Sequence, residues 1–312
     1  MSNRAKVSII GAGNVGSTLA FKILEEELAE VVLVDIKEDL ARGKALDLQD
    51  AMAVLEKEAI ISASGDYGKI EGSKIVVITA GLPRRPGMDR EDLLFKNAQI
   101  VKEVVKNIKE KAPHSIILVV TNPLDVMTYL AYKMSGFDKR RVLGMAGVLD
   151  SARLSVILSR LINRQTSSIS SLILGTHGNS MVPVRSQITV DKRPLDEFLD
   201  DKRISEAFED SKNQGSKIVS LLKGGSAYYA PAMSVFKMLD VILNNKKEVL
   251  PASVYLEGEY GLNNICLGVP VKLDEEGIEK IIQLDLLDEE KEALHKAADI
   301  VKSNISRLQF AD

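Results

Sequence analysis

Residues 6–35 read KVSII GAGNVG STLAFKILEEELAE VVLVD, and this stretch decides the fold. A short β-branched apolar run enters a glycine turn. A helical pattern over 15–27 follows, and a second apolar run ends on Asp35. That order is the opening βαβ unit of a parallel sheet. Within the turn, Gly11 permits the tight bend, Gly13 leaves the backbone open to a pyrophosphate, and Gly16 lets helix and strand pack closely. Ala12, Asn14 and Val15 complete the turn, and the helix N-terminus offers free N–H groups to an anion. Asp35 stands 35 − 16 = 19 residues after Gly16. An acid there accepts bonds from both ribose hydroxyls and repels a 2′-phosphate. The unit therefore points to an adenosine-bearing cofactor. Methyl-donor and flavin proteins use similar turns, and a glycine turn made for packing alone is the plainer alternative.

The same alternation continues. Apolar strands are expected at 75–79, 116–120 and 141–143, with a shorter one at 60–62. Helical patterns separate them at 38–54, 91–111 and 124–134. Continuous apolar strands alternating with helices predict an α/β fold, a doubly wound parallel sheet covered on both faces. The second half is less regular. Helices are expected at 151–163, 204–222, 232–243 and 288–308, strands at 171–174 and 188–190, and an antiparallel pair at 249–255 and 264–271. This divides the chain into a Rossmann domain over residues 1–145 and an α+β catalytic domain over 146–312.

Composition narrows the function classes. The 312 residues are 45% hydrophobic and 27% charged, which excludes a disordered chain. A net charge of −3 and 4% aromatics leave little to hold a phosphate backbone or stack bases, so no nucleic-acid partner is expected. The apolar run at the N-terminus breaks at Gly11, too short for a signal peptide, and no 18-residue apolar run exists. The single cysteine, Cys266, excludes an internal disulfide and a cysteine-built metal site. A cytoplasmic protein without a membrane partner or a metal is expected.

Three histidines are present. His114 lies in a loop and His295 in a charged helix, and both read as solvated. His177 sits in GTHGN after the apolar run SSLIL, a polar turn at a strand end where catalytic side chains are often placed. Asp150 and Arg153 are three apart at a helix start and share a face. They read either as a local ion pair or as the partner of His177 and a carboxylate clamp. The loop TAGLPRRPGMDRED carries Arg84, Arg85 and Arg90 between Gly/Pro flanks. Guanidinium forks suit an anionic substrate, and the flanks suit a lid, although a solvated basic loop has the same composition. Asn122, in VTNP at the end of the fifth strand, reads as a substrate or cofactor contact or as a turn residue.

Taken together, GAGNVG, Asp35, AGLPRRPGMDR, VTNP, LDSAR, GTHGNSMVP and GSAYYAPA resemble the lactate/malate dehydrogenase superfamily in order and spacing, almost end to end. The loop with Arg84 resembles the malate-type members built on the lactate-dehydrogenase pattern, where lactate enzymes usually carry Gln. The resemblance implies reversible hydride transfer between (S)-malate and oxaloacetate, with NAD as cofactor and a homodimer or homotetramer as the assembly. It implies that His177 is the proton donor and acceptor, with Asp150 as its partner. It implies that Arg153 binds the C1 carboxylate of a small dicarboxylate, that Arg84 binds the distal carboxylate, and that Arg90 polarises the carbonyl. Asn122 would contact substrate and nicotinamide. Gly11, Ala12, Gly13, Asn14, Val15, Gly16, Asp35, Asn97, Val120, Thr121 and Asn122 would line the NAD site. One departure is Asn179, where the family usually has Asp after His-Gly. A lactate-type dehydrogenase and a non-catalytic NAD-binding protein are the rival readings. Arg84 weighs against the first, and the joint presence of His177, Asp150, Arg90 and Arg153 against the second.

Overall fold

Six short apolar runs become six parallel strands with helices between them. In the computed structural model they are β1 (Lys6–Ile10), α1 (Asn14–Glu25), β2 (Glu30–Val34), α2 (Glu38–Val54), β3 (Ile61–Ser64), β4 (Ile75–Ile78), α3 (Arg90–Lys111), β5 (Ile116–Val119), α4 (Leu124–Ser135) and β6 (Val142–Met145). The structure describes residues 4–83, 90–178, 180–223 and 225–308, the side chain of Arg90 excepted. The strand order β3-β2-β1-β4-β5-β6 reverses at β1. In such a doubly wound sheet, ligands bind at the carboxyl ends of the strands beside that reversal. β4, β5 and β6 are buried at every position, as strands covered on both faces must be. β3, at the sheet edge, is only partly buried.

The second half adds α5 (Gly147–Ile162), β7 (Ile169–Ser170), β8 (Ile173–Gly175), β9 (Met181–Pro183), β10 (Thr189–Val190), β11 (Arg193–Pro194), α6 (Asp201–Leu222), α7 (Tyr229–Leu243), β12 (Val249–Glu257), β13 (Asn263–Asp274), β14 (Gly277–Ile281) and α8 (Asp288–Arg307). β12 pairs antiparallel with β6, so one eleven-stranded sheet runs through both halves. The main apolar core draws on both sides of residue 145, from Val7 and Ile75 to Val269 and Leu294. A smaller core, including Leu154, Ile173, Val190 and Ile204, lies between α5, the short strands and α6.

The expected doubly wound sheet is present, and its helices and strands lie within a few residues of their expected ends. The expected pair at 249–255 and 264–271 is the β12–β13 ladder. Three helices begin earlier than periodicity indicates. α5 starts at Gly147, where the missing side chain lets its first turn sit against the Ile173 carbonyl, α6 at Asp201 because the Asp200 carboxylate caps the Arg203 N–H at 2.8 Å, and α7 at Tyr229 with Pro231 inside its first turn. The strands expected at 171–174 and 188–190 are β8 and β10, while β7, β9, β11 and β14 were not anticipated; the first three are too short to show alternation.

Candidate active site

Two constellations meet at the carboxyl ends of the strands. The first is the glycine turn. A Cβ on Gly16 would lie 1.9 Å from the Gly11 carbonyl oxygen, so only glycine allows α1 to pack this closely on the turn. A Cβ on Gly13 would meet nothing within 4 Å, and Gly13 and Asn14 are exposed, which leaves open space in front of the α1 N-terminus. Among the described residues no side chain caps that terminus, so its first-turn N–H groups face the space uncapped. The Asp35 carboxylate, just beyond β2, accepts from Ala12 N–H at 2.8 Å and from Lys37 N–H at 2.9 Å. Each oxygen keeps lone pairs for further donors. The turn, the space and the acid fit a dinucleotide.

Across the sheet reversal, residues Val120–Asn122 follow β5. The Thr121 hydroxyl donates to the carbonyls of Ala80 at 2.7 Å and Ile78 at 3.2 Å. Asn97 is buried, and its carboxamide is occupied by main chain. It accepts from Leu82 N–H at 2.7 Å and donates to the Asn122 carbonyl at 2.7 Å. Asn97 therefore shapes the two loops that border the space, and the Asn122 side chain stays exposed beside it.

The second constellation surrounds His177. α5 is pinned to β8: Ser151 Oγ accepts from Ile173 N–H at 2.9 Å, and the Ser171 hydroxyl donates to the Ser151 carbonyl at 2.6 Å. The approach is close enough that a Cβ on Gly147 would fall 2.2 Å from the Ile173 carbonyl oxygen. This contact sets Asp150 against the turn that leaves β8. His177 Nδ1 lies 2.8 Å from Asp150 Oδ2, and Arg153 donates to Asp150 Oδ1 at 3.3 Å. The Asp150 side chain is 3% exposed and that of His177 18%. A carboxylate on Nδ1 keeps a proton there and leaves Nε2 to exchange one. Burial pulls the His177 pKa down, but the charge and hydrogen bond of Asp150, assisted by Asp125 against Arg153, leave it above the ordinary imidazole value. Arg153 Nε is buried and has no hydrogen-bond partner among the described residues, a donor left over for an anion.

The structure thus brings together His177, Asp150 and Arg153 in one group, and Gly11–Gly16, Asp35, Asn97 and Val120–Asn122 in the other. Arg84, Arg85 and Asn179 lie outside the described residues, as does the Arg90 side chain; its backbone opens α3. His114 and His295 are exposed, as expected. The sequence reading missed Asp125, which is buried in the first turn of α4 and accepts from His177 N–H at 3.3 Å. Its only sequence signal is its place after VTNP, where an acid also serves as an ordinary helix-start residue.

Residues 5–144 match the lactate/malate dehydrogenase NAD-binding domain, and residues 147–310 match the lactate/malate dehydrogenase alpha/beta C-terminal domain. The chain is 48% identical to a malate dehydrogenase of Nitratiruptor sp. over 99% of its own length and 98% of the relative's. Identity is also 48% to a malate dehydrogenase of Synechocystis sp., over 96% and 93%. Among solved structures, malate dehydrogenase of Cryptosporidium parvum superposes with a TM-score of 0.95 at 40% identity, covering 98% of this chain and 99% of that one. Lactate dehydrogenase of the same organism, complexed with lactic acid and nicotinamide adenine dinucleotide, superposes with a TM-score of 0.96 at 36% identity over the whole of both chains. The chain belongs to the lactate/malate dehydrogenase family and is an NAD-dependent dehydrogenase.

Proposed function

We propose that this chain interconverts (S)-malate and oxaloacetate, with residues 1–145 holding NAD and residues 146–312 supplying the acid/base pair. The observation that carries the reading is the 2.8 Å contact between His177 and Asp150, with Arg153 on the same carboxylate. The cofactor would lie along Gly11–Gly16, with its ribose at Asp35 and its far end beside Val120–Asn122. NAD, when bound, supplies the hydride acceptor. In malate oxidation, neutral His177 takes the hydroxyl proton at Nε2, and Asp150 stabilises the imidazolium that forms. In the reverse direction the imidazolium donates that proton. Arg153 holds the C1 carboxylate, Arg84 the distal carboxylate, and Arg90 the carbonyl oxygen.

Oxidation of NADH, followed by absorbance with oxaloacetate and with pyruvate, tests the substrate. A higher kcat/KM for oxaloacetate is expected, and a preference for pyruvate would make the chain a lactate-type enzyme. Asp35 sets the cofactor. NADH is expected to outperform NADPH, because a 2′-phosphate would meet the carboxylate. Asp35→Ser, which removes the repulsion and keeps a hydroxyl, should narrow the gap in kcat/KM. Equal use of both cofactors by the native chain would contradict this role.

A homodimer or homotetramer is the assembly we favour, supported by large apolar side chains left exposed on α2 and at the end of α6, among them Leu46, Val54 and Leu221. A cytoplasmic location is supported by the single cysteine, which is free and buried. Among the described residues no helix is long and apolar enough to cross a membrane.

A further inference from the structure

His177 is held at two points, and only one of them is Asp150. Its main-chain N–H donates to Asp125 Oδ2 at 3.3 Å. The other carboxylate oxygen, Oδ1, accepts from the Ser253 hydroxyl at 2.7 Å. Asp125 is 4% exposed and Ser253 fully buried, so neither contact is a surface accident. Ser253 lies on β12 opposite Gly144 of β6, the strand that leads into α5 with Asp150 and Arg153. Asp125 begins α4, three residues after Asn122. One carboxylate therefore ties the start of α4, the strand β12 that pairs with β6, and the turn carrying the histidine. A buried carboxylate is costly to keep, and a purely structural tie at this point could be made by neutral groups.

We propose that Asp125 is a positioning residue for the acid/base pair, fixing the backbone of His177 and placing a second negative charge behind its imidazolium. The inference rests on the reading of His177 as the proton donor and acceptor. Among the described residues, the charged groups facing His177 are Asp150 and Arg153 from α5 and Asp125 from α4. Cys266 of β13 also faces Asp125, and burial keeps its thiol pKa well above the usual value. Burial pushes the Asp125 carboxyl up to about 6, against the Ser253 hydroxyl, the His177 N–H and the charge of the ring, which favour ionisation. At neutral pH the carboxylate form prevails and adds to Asp150 in favouring the imidazolium.

Asp125→Asn separates the two contributions. The carboxamide oxygen still accepts from His177 N–H and its NH2 group still donates to Ser253 Oγ, but the charge is gone. Asp125→Ala removes both contacts. The readout is the pH profile of kcat and kcat/KM for oxaloacetate reduction, with His177→Asn as reference. Asp125→Ala should lower kcat by up to ~10²-fold through misplacement of the ring. Asp125→Asn should recover most of that rate. Its high-pH limb should fall about half a pH unit or more below the native one, because a less stabilised imidazolium loses its proton sooner. If His177→Asn is inactive and the Asp125→Asn limb superposes on the native limb, the charge of Asp125 plays no part and the inference fails while the His177 reading stands. If His177→Asn keeps its activity, the His177 reading itself fails. Should Asp125→Ala not fold, the Asp125→Asn limb decides alone.

Discussion

His177→Asn is expected to lower kcat by at least the ~10²–10⁴-fold that a general acid/base contributes, with NADH affinity unchanged. Asparagine is polar and of similar reach, so the turn after β8 can keep its shape and the Asp125 contact to the main-chain N–H survives the change. What is lost is a group that can hold a proton beside Asp150. Malate oxidation then has no base and oxaloacetate reduction no acid, so both directions slow together, as they must when they share a transition state. In the proposed reading NADH binds along Gly11–Gly16 and Asp35, a different part of the sheet end. Steady-state rates in both directions and an NADH fluorescence titration check the two halves of the expectation. A nearly fully active His177→Asn enzyme would remove His177 from the mechanism.

Arg84→Gln is expected to reverse or sharply erode the preference for oxaloacetate over pyruvate. Oxaloacetate differs from pyruvate by one carboxylate, and a charge-assisted hydrogen bond to it is worth ~1.5–3 kcal/mol net, more for a bidentate pair shielded from water. The substitution leaves that carboxylate unpaired in the closed site, and it also spares pyruvate an unpaired guanidinium. Both effects move kcat/KM the same way, down for oxaloacetate and up for pyruvate. Arg153→Gln should impair both substrates, because both carry the C1 carboxylate. If Arg84→Gln leaves the ratio unchanged and Arg85→Gln collapses it, the neighbouring arginine is the clamp. If neither changes it, specificity lies outside this loop.

The parallel half was legible because buried parallel strands read as unbroken apolar runs. KVSII, VVLV, IVVI and IILV leave no second period to confuse them, and the glycine turn after the first marks its end. The short strands β7, β9 and β11 were not, because two or three residues carry no alternation and their pairing is decided by the strands and the smaller core around them. At the site, His177, Asp150 and Arg153 could be named as candidates, but only the fold supplies the 2.8 Å contact across 27 residues of chain. Asp125 stayed hidden because its role is made by partners 52 and 128 residues away, His177 and Ser253, which no local pattern connects. Asn97 was placed at the cofactor, and its side chain proves to act on the backbone that borders it.

In the proposed mechanism one ionisation, that of His177, governs both directions of the reaction. Because malate oxidation releases a proton, the ratio of kcat/KM in the two directions must change tenfold per pH unit wherever NAD and NADH affinities are independent of pH. The mechanism decides where each direction bears that change. Measured across about pH 5 to 9, oxidation should climb with pH and then level off, while reduction should be level and then fall. The two breaks should share one midpoint above the ordinary imidazole value, since Asp150 and Asp125 outweigh burial and Arg153 at His177. A reduction rate that falls steadily from the lowest pH, with no break in either direction in the histidine range, would contradict the account.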